Sequence, residues 1–472
     1  MPELLRQPRF RRFWTAQSIS YLGDQVTLIA LPLVAVLAVH ATTAEVGYLA
    51  TATMVPMLVL GVHAGDWVDR ARRRRLVLVS TDAARVLLLA SIPVADALGV
   101  LSMVQLYCVA ALSGVAAVLF DVGAASVVPA LVPGEQRMAG NSLLRGSYSF
   151  SWVAGPGLGG LLVQLLTAPF ALVFDAGSFL ASAALIATVD IPEAGARDRA
   201  PAGVAAGLRF VARHRVLRAY LASGTVLSFC YATYFALLIV FAVRQLHLVP
   251  AQIGLAIGAG AVGALAGSVL TARITRWLGV GAAVILGALI YAAALLAIPF
   301  ASRTHPWAAF ATIAGAEFVS GFGLMLNDIN GLSLQQTLTP ERMLGRVSGA
   351  IMASTYGARA VAGVVAGTVG TVLGLAPTIA LSAALGVASI SVLLASPIRS
   401  LKQLPPQATP DHEPANGSDL ASAAVTSPAK PELRQPIERC RSTQRGVTVP
   451  QVGRRPPRWP GPSRGDRRGP HP

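Results

Sequence analysis

The sequence predicts an all-α membrane protein, with twelve spanning helices and little structure between them. Three observations predict it. Hydrophobic residues make up 54% of the chain and charged residues only 13%, about half the share of a soluble domain. Apolar stretches long enough to cross a bilayer recur along the chain, and arginine gathers in every second connection between them. Glycine, at 45 residues, suits helices packed at close range. A net charge of +16 in a soluble protein would suggest nucleic acid, but the positions of these charges assign them to one membrane face. The expected surroundings are therefore a lipid bilayer, with no nucleic-acid partner.

A spanning helix needs about 20 mostly apolar residues. Windows that qualify lie at residues 13–39, 45–64, 76–97, 101–128, 141–166 and 170–189, then at 218–243, 251–272, 280–300, 307–327, 347–374 and 376–396. The start is no cleavable signal: Arg6, Arg9, Arg11 and Arg12 lead into an apolar stretch too long for one, and further spans follow. With the N-terminus inside, the inner segments hold 21 arginines, and the outer loops hold only Arg244 and Arg303. That bias places both termini on the cytoplasmic side of a bacterial-type plasma membrane.

The organisation follows from the spans: a six-helix bundle at 1–189, a cytoplasmic linker at 190–217, a second bundle at 218–396 and a Pro-rich tail at 397–472. The linker stretch from Ala206 to Arg213 has the pattern of an amphipathic helix lying at the inner face. The tail, with 13 basic and six acidic residues and no apolar periodicity, reads as disordered. The halves echo each other. Val132-Pro133-Gly134-Glu135-Gln136-Arg137-Met138 returns as Thr339-Pro340-Glu341-Arg342-Met343, and Gly65–Arg73 returns as Ser268–Arg276 with Ala272 in the place of Asp69. Such a decayed repeat is the trace of two pseudo-symmetric bundles with a site between them.

Between the second and third spans stands Gly65-Asp66-Trp67-Val68-Asp69-Arg70-Ala71-Arg72-Arg73-Arg74-Arg75. Its glycine, followed by Asp-Arg and then basic residues, resembles the signature loop of the major facilitator superfamily. Further segments are similar to the macrolide-efflux and siderophore-exporter branch of drug–proton antiporters. They are Phe120–Pro133 before Asn141-Ser142-Leu143, Gly155-Pro156-Gly157-Leu158-Gly159-Gly160, Asp175-Ala176-Gly177-Ser178-Phe179, and Thr339–Val347. The resemblance covers roughly residues 5–396 and implies the major facilitator fold. It departs from the antiporter pattern at Ser151, where a glycine is usual, and at Ala110, where many antiporters carry an arginine. A proton route through that arginine is therefore excluded.

Several residues follow as site candidates. The resemblance assigns Gly65, Asp69, Arg70 and Arg73 to a gating loop, whose acid would bridge to a helix end of the opposite half in one state and release it in the other. Asp121, near a helix end, is expected to join that cluster through Arg70. Asp24 sits in the middle of the first span, where a carboxylate costs about 2.5–3.5 kcal/mol and must face a cavity or a partner. It is either a proton carrier or cation ligand, or a structural acid bonded to a neighbour such as Ser20. Glu317 and Arg359, in adjacent spans, form either a buried pair or a cavity-lining site. Asp82 and Arg85, three residues apart, are expected to pair on one helix face, and Asp175 to be structural. Gly155, Pro156, Gly159 and Gly160 make a close-packing helix face.

The aromatics Trp152, Phe229, Tyr231, Tyr234, Phe235, Phe318, Phe322 and Tyr356 are candidates for an apolar cavity. Cys108, Cys230 and Cys440 have no metal spacing, and no cofactor or metal is expected. With no catalytic constellation and no phosphate-binding loop, an enzyme or ATP-driven pump is disfavoured. The resemblance implies a secondary transporter that exports a hydrophobic or amphipathic small molecule (a drug, macrolide-like compound or siderophore) against proton entry. The alternative is an importer or facilitator of a small metabolite on the same fold.

Overall fold

The computed structural model describes residues 3–61, 73–191 and 203–403. Among these, thirteen α-helices run in order: α1 (Pro8–Leu37), α2 (Thr43–Leu60), α3 (Arg74–Ala97), α4 (Met103–Leu131), α5 (Arg137–Leu166), α6 (Ala168–Ala187), α7 (Val204–Arg213), α8 (Arg215–Arg244), α9 (Pro250–Leu278), α10 (Val280–Ala294), α11 (Pro306–Leu338), α12 (Leu344–Leu373) and α13 (Leu375–Leu394). All but α7 are long and apolar enough to cross a membrane, α10 together with the 3₁₀ turn Leu295–Phe300 that continues it, which bears out the twelve expected spans. Several overrun their windows, notably α11, whose last residues include polar Gln335 and Gln336.

Local chemistry sets the helix ends. Thr42 and Glu45 cap α2 reciprocally: Thr42 N–H donates to the Glu45 carboxylate at 2.7 Å, and Glu45 N–H donates to Thr42 Oγ1 at 3.3 Å. Gly279 and Gly374, at φ +87° and +91°, let α10 and α13 start immediately after α9 and α12. Thr167 makes the matching turn between α5 and α6 at φ +79°, a conformation that strains a β-branched residue. Thr167 and Gly374 are 207 residues apart, the same register that relates Pro133 to Pro340.

The packing repeats as well. In the first half α1 lies on α5 and α6, α3 on α4 and α6, and α2 on α4. In the second, α8 lies on α12 and α13, α10 on α11 and α13, and α9 on α11. The halves meet through α2 with α12 and α5 with α9, a pair of contacts that the repeat interchanges. Small residues make both crossings: Gly47 abuts Gly363 and Gly367, and Gly160 abuts Gly254 and the Pro250 carbonyl. Among the described residues three hydrogen bonds join the halves. Arg244 donates to the Ala41 carbonyl, Ala251 N–H to Gln164, and Thr51 to the Ala360 carbonyl. The first two lie at the end where α1 finishes and α2 begins.

Two expectations change. The apolar side of α7 packs on protein: Gly207 abuts the Arg346 carbonyl, and Val211 is buried with Leu217 and Val347. The packed chain also continues past 396, because Ile398 and Leu401 are buried and Gly281 N–H donates to the Leu401 carbonyl at 2.9 Å. The rest of the tail, and most of the basic loop, lie outside the described residues.

Candidate functional site

Inside the first half, Asp24 of α1 stands 3.6 Å from Arg85 of α3, which is fully packed at 3% exposure while Asp24 is 45% exposed. The guanidinium lies over the Phe179 ring at 4.7 Å and the Phe120 ring at 5.5 Å, so α6 and α4 aim it at α1. This corrects the expected Asp82–Arg85 pair. The stacking holds Arg85 away from Asp82, whose buried carboxylate oxygens make no hydrogen bond among the described residues. It also removes the Ser20 alternative for Asp24, since the Ser20 hydroxyl has no partner.

Asp175 of α6 is fully buried and accepts hydrogen bonds from Thr27 Oγ1 and, at 2.9 Å, from Ser178. It presses on Gly23, so it pins α6 to α1 as a structural acid. Asp121 of α4 is exposed within the bundle. Asp82, Asp121 and Asp175 all lie within electrostatic range of both Asp24 and Arg85. Four carboxylates thus lie within electrostatic range of one guanidinium, and Asp24 alone of them is within ion-pair distance of it among the described residues. Nearby, Tyr21 meets Tyr148 edge to face at 5.2 Å, and Tyr148 meets Trp152 at 6.2 Å.

In the second half, Glu317 and Arg359 form no ion pair among the described residues. Glu317, only 3% exposed, accepts a 2.6 Å hydrogen bond from Tyr234 and rests beside Gly260. Arg359 lies over the ring of Tyr356, one turn earlier on α12, at 5.6 Å. It lines a cavity of about 230 Å³ together with Asp328 of α11, Tyr220 of α8 and Tyr291. Sequence reasoning missed Asp328. The repeat register could have found it, because Asp121 and Asp328 are 207 residues apart. Of the expected aromatics, Tyr231 and Tyr234 pack together in the interior at 5.9 Å, whereas Phe318 is exposed on the outside of its helix.

Gly155 and Gly159 admit Gln25 and Val26 of α1, while Gly160 and the Pro156 carbonyl meet Gly254 of α9. Of the loop candidates, Gly65, Asp69 and Arg70 lie outside the described residues, and so does any contact of Asp121 with Arg70. Arg73 is described and exposed, immediately before α3. Among the described residues no cluster of His, Cys, Asp or Glu fits a metal ion.

Comparison with known proteins agrees with this architecture. The family model for the Major Facilitator Superfamily matches residues 13–364. The chain is 27% identical over 351 residues to the multidrug efflux pump Tap of Mycolicibacterium fortuitum, covering 71% of this chain and 83% of that one. It is 25% identical over 416 residues to the enterobactin exporter EntS of Escherichia coli, covering 86% and 96%. Among solved structures, a point mutant of the nucleoside transporter NupG aligns with a TM-score of 0.68 at 10% identity, over 82% of this chain and 99% of that one. A bacterial homologue of the iron transporter ferroportin, in an inward-facing state, aligns with a TM-score of 0.66 at 18% identity, over 83% and 98%. The chain is therefore a multi-pass membrane transporter and not an enzyme, and it belongs to the Major Facilitator Superfamily.

Proposed function

We propose that this chain exports hydrophobic or amphipathic small molecules, and that proton entry drives the movement. The observation that carries the reading is the Asp24–Arg85 pair among three further carboxylates. Asp24 shares its one cation with further acids in electrostatic range, so its ion pair with Arg85 can be exchanged for a proton. The cluster is suited to taking up and releasing a proton, and Asp24, the member both paired and exposed, is suited to exchange it with the space between the bundles. Arg85 supplies from the third span a guanidinium that the fourth span, with Ala110, does not. The names of the relatives, an efflux pump and an exporter, support the direction.

Alternating access would come from rocking the two bundles about the central site. With both termini cytoplasmic, as the arginine bias implies, the α5–α9 glycine crossing lies at the outer end and would close the site to the outside in the inward-facing state. The loop carrying Gly65, Asp69, Arg70 and Arg73 would then bridge the cytoplasmic ends in the opposite state, adding a contact that only that state makes. The test is accumulation of a fluorescent amphipathic dye in proteoliposomes with and without an imposed pH gradient. Accumulation that follows the gradient supports the reading. Movement that only equilibrates and ignores pH would replace it with a facilitator.

A further inference from the structure

We propose that the Asp328–Arg359 cavity of the second half is a cargo subsite that takes a zwitterionic group, an ammonium and a carboxylate on one small aromatic or apolar frame. This deepens the export reading and rests on it. Two opposite charges line this cavity without coming within ion-pair distance of each other. Arg359 Nε is buried without a hydrogen-bond partner. Its guanidinium has the face of Tyr356 and, among the described residues, no carboxylate within ion-pair distance. Asp328, on the neighbouring helix, makes no hydrogen bond or ion pair there either and is exposed on the same cavity. A buried donor left unmatched is costly, and a carboxylate arriving in the cavity would supply the match.

The room between them suits one class of ligand. A cavity of about 230 Å³ lies below the range of drug-sized pockets, roughly 300–1,000 Å³, and fits an amino-acid-sized molecule or the head group of a larger one. Tyr220 and Tyr291 supply aromatic wall, and Asn327 and Thr355 supply neutral hydrogen-bonding groups. A purely cationic ligand would meet Asp328 and leave Arg359 without a carboxylate, and a purely anionic one would meet Arg359 and leave Asp328 without a cation. A zwitterion alone answers both, and the planar guanidinium is the geometry that grips a carboxylate in two places. The Glu317–Tyr234 bond does not compete for these charges, since it closes on itself.

The test uses the full chain in lipid nanodiscs and calorimetric titration of three probes: L-tryptophan, its methyl ester (a cation) and N-acetyl-L-tryptophan (an anion). The expected order has the zwitterion binding roughly 10-fold to 100-fold tighter than either neutralised form, the range for a hydrogen bond to a charged group. Asp328→Asn should bring the zwitterion down to the affinity of the N-acetyl form without changing the latter. Arg359→Gln should bring it down to the affinity of the ester. Equal affinities for all three probes on the wild-type protein, or no binding of the zwitterion, would overturn the proposal without reference to any variant. Dye accumulation in proteoliposomes separates this from the export reading. Gradient-driven transport without zwitterion preference sinks only the subsite, and zwitterion preference without gradient-driven transport of any probe sinks only the export.

Discussion

Adding one methyl group at the α5–α9 crossing should move the whole transporter between states. A Cβ on Gly254 would overlap the Pro156 carbonyl oxygen and stand 3.1 Å from the Gly160 Cα. Both obstacles are backbone, so no side chain can turn aside and the two helices must separate. Overpacking of this kind costs about 1–3 kcal/mol. The contact belongs to the state in which the halves are closed at this end, so opening there relieves the cost. The Gly254→Ala variant should therefore shift the equilibrium toward the open-end state by a factor of roughly 5 to 150. The assay is pulsed-EPR distance measurement between spin labels at Val100→Cys and Thr304→Cys, exposed positions in loops of opposite halves at this end, with Cys108 and Cys440 replaced by serine. The wild type should populate mainly the shorter distance and Gly254→Ala the longer one. Gly177→Ala is the control, since a Cβ there meets nothing within 4 Å. An unchanged distribution in folded Gly254→Ala, or an equal shift in the control, would show that this crossing does not set the equilibrium.

Other consequences follow from single residues. Glu317→Gln keeps an acceptor for Tyr234 and should melt close to wild type, whereas Glu317→Leu strands the buried hydroxyl and should cost about 1–3 kcal/mol by thermal unfolding. Thr167→Gly removes a left-handed threonine and should raise stability by about 1 kcal/mol, the strain relieved less the added freedom of the unfolded chain. His214 caps α8 by accepting the Leu217 N–H at Nδ1 (3.4 Å), and burial holds its imidazole below the ordinary 6.5. A depressed histidine favours the neutral form in the folded state. Its contribution is therefore present above 6.5 and lost as pH falls through the folded value, when Nδ1 gains a proton and ceases to accept. The apparent melting temperature should drop on acidification in the wild type and drop less in His214→Asn, which caps without titrating.

How much of this was legible depended on the range of the interaction. The spans were legible because the bilayer demands a fixed run of apolar residues; the Gly155–Gly160 face stood out as a local cluster, but its partner Gly254 and the Gly47–Gly363 crossing carry no such local mark. Helix ends were less so: α11 continues to Leu338 through residues too polar for a hydropathy window. Arg85 shows the limit most clearly. The local rule pairs it with Asp82 one turn away, but Phe120 and Phe179, from two other helices, turn it to Asp24. Glu317 and Arg359 stayed open between a buried pair and a cavity lining, because adjacency of spans does not fix which helix faces meet; Arg359 lines a cavity and Glu317 bonds Tyr234. Asp328 was within reach of the sequence, since extending the Pro133–Pro340 register by twelve residues places it opposite Asp121.

The central claim, that the Asp24–Arg85 cluster carries the coupling proton, is tested most directly by two transport modes in one preparation of Asp24→Asn proteoliposomes. Counterflow exchange of dye requires cargo binding and rocking but no net proton movement, and gradient-driven accumulation requires both. Exchange should persist near the wild-type rate while gradient-driven accumulation is abolished. Accumulation that still follows the pH gradient in Asp24→Asn would contradict that claim, and loss of exchange alongside accumulation would make Asp24 a cargo or structural residue instead.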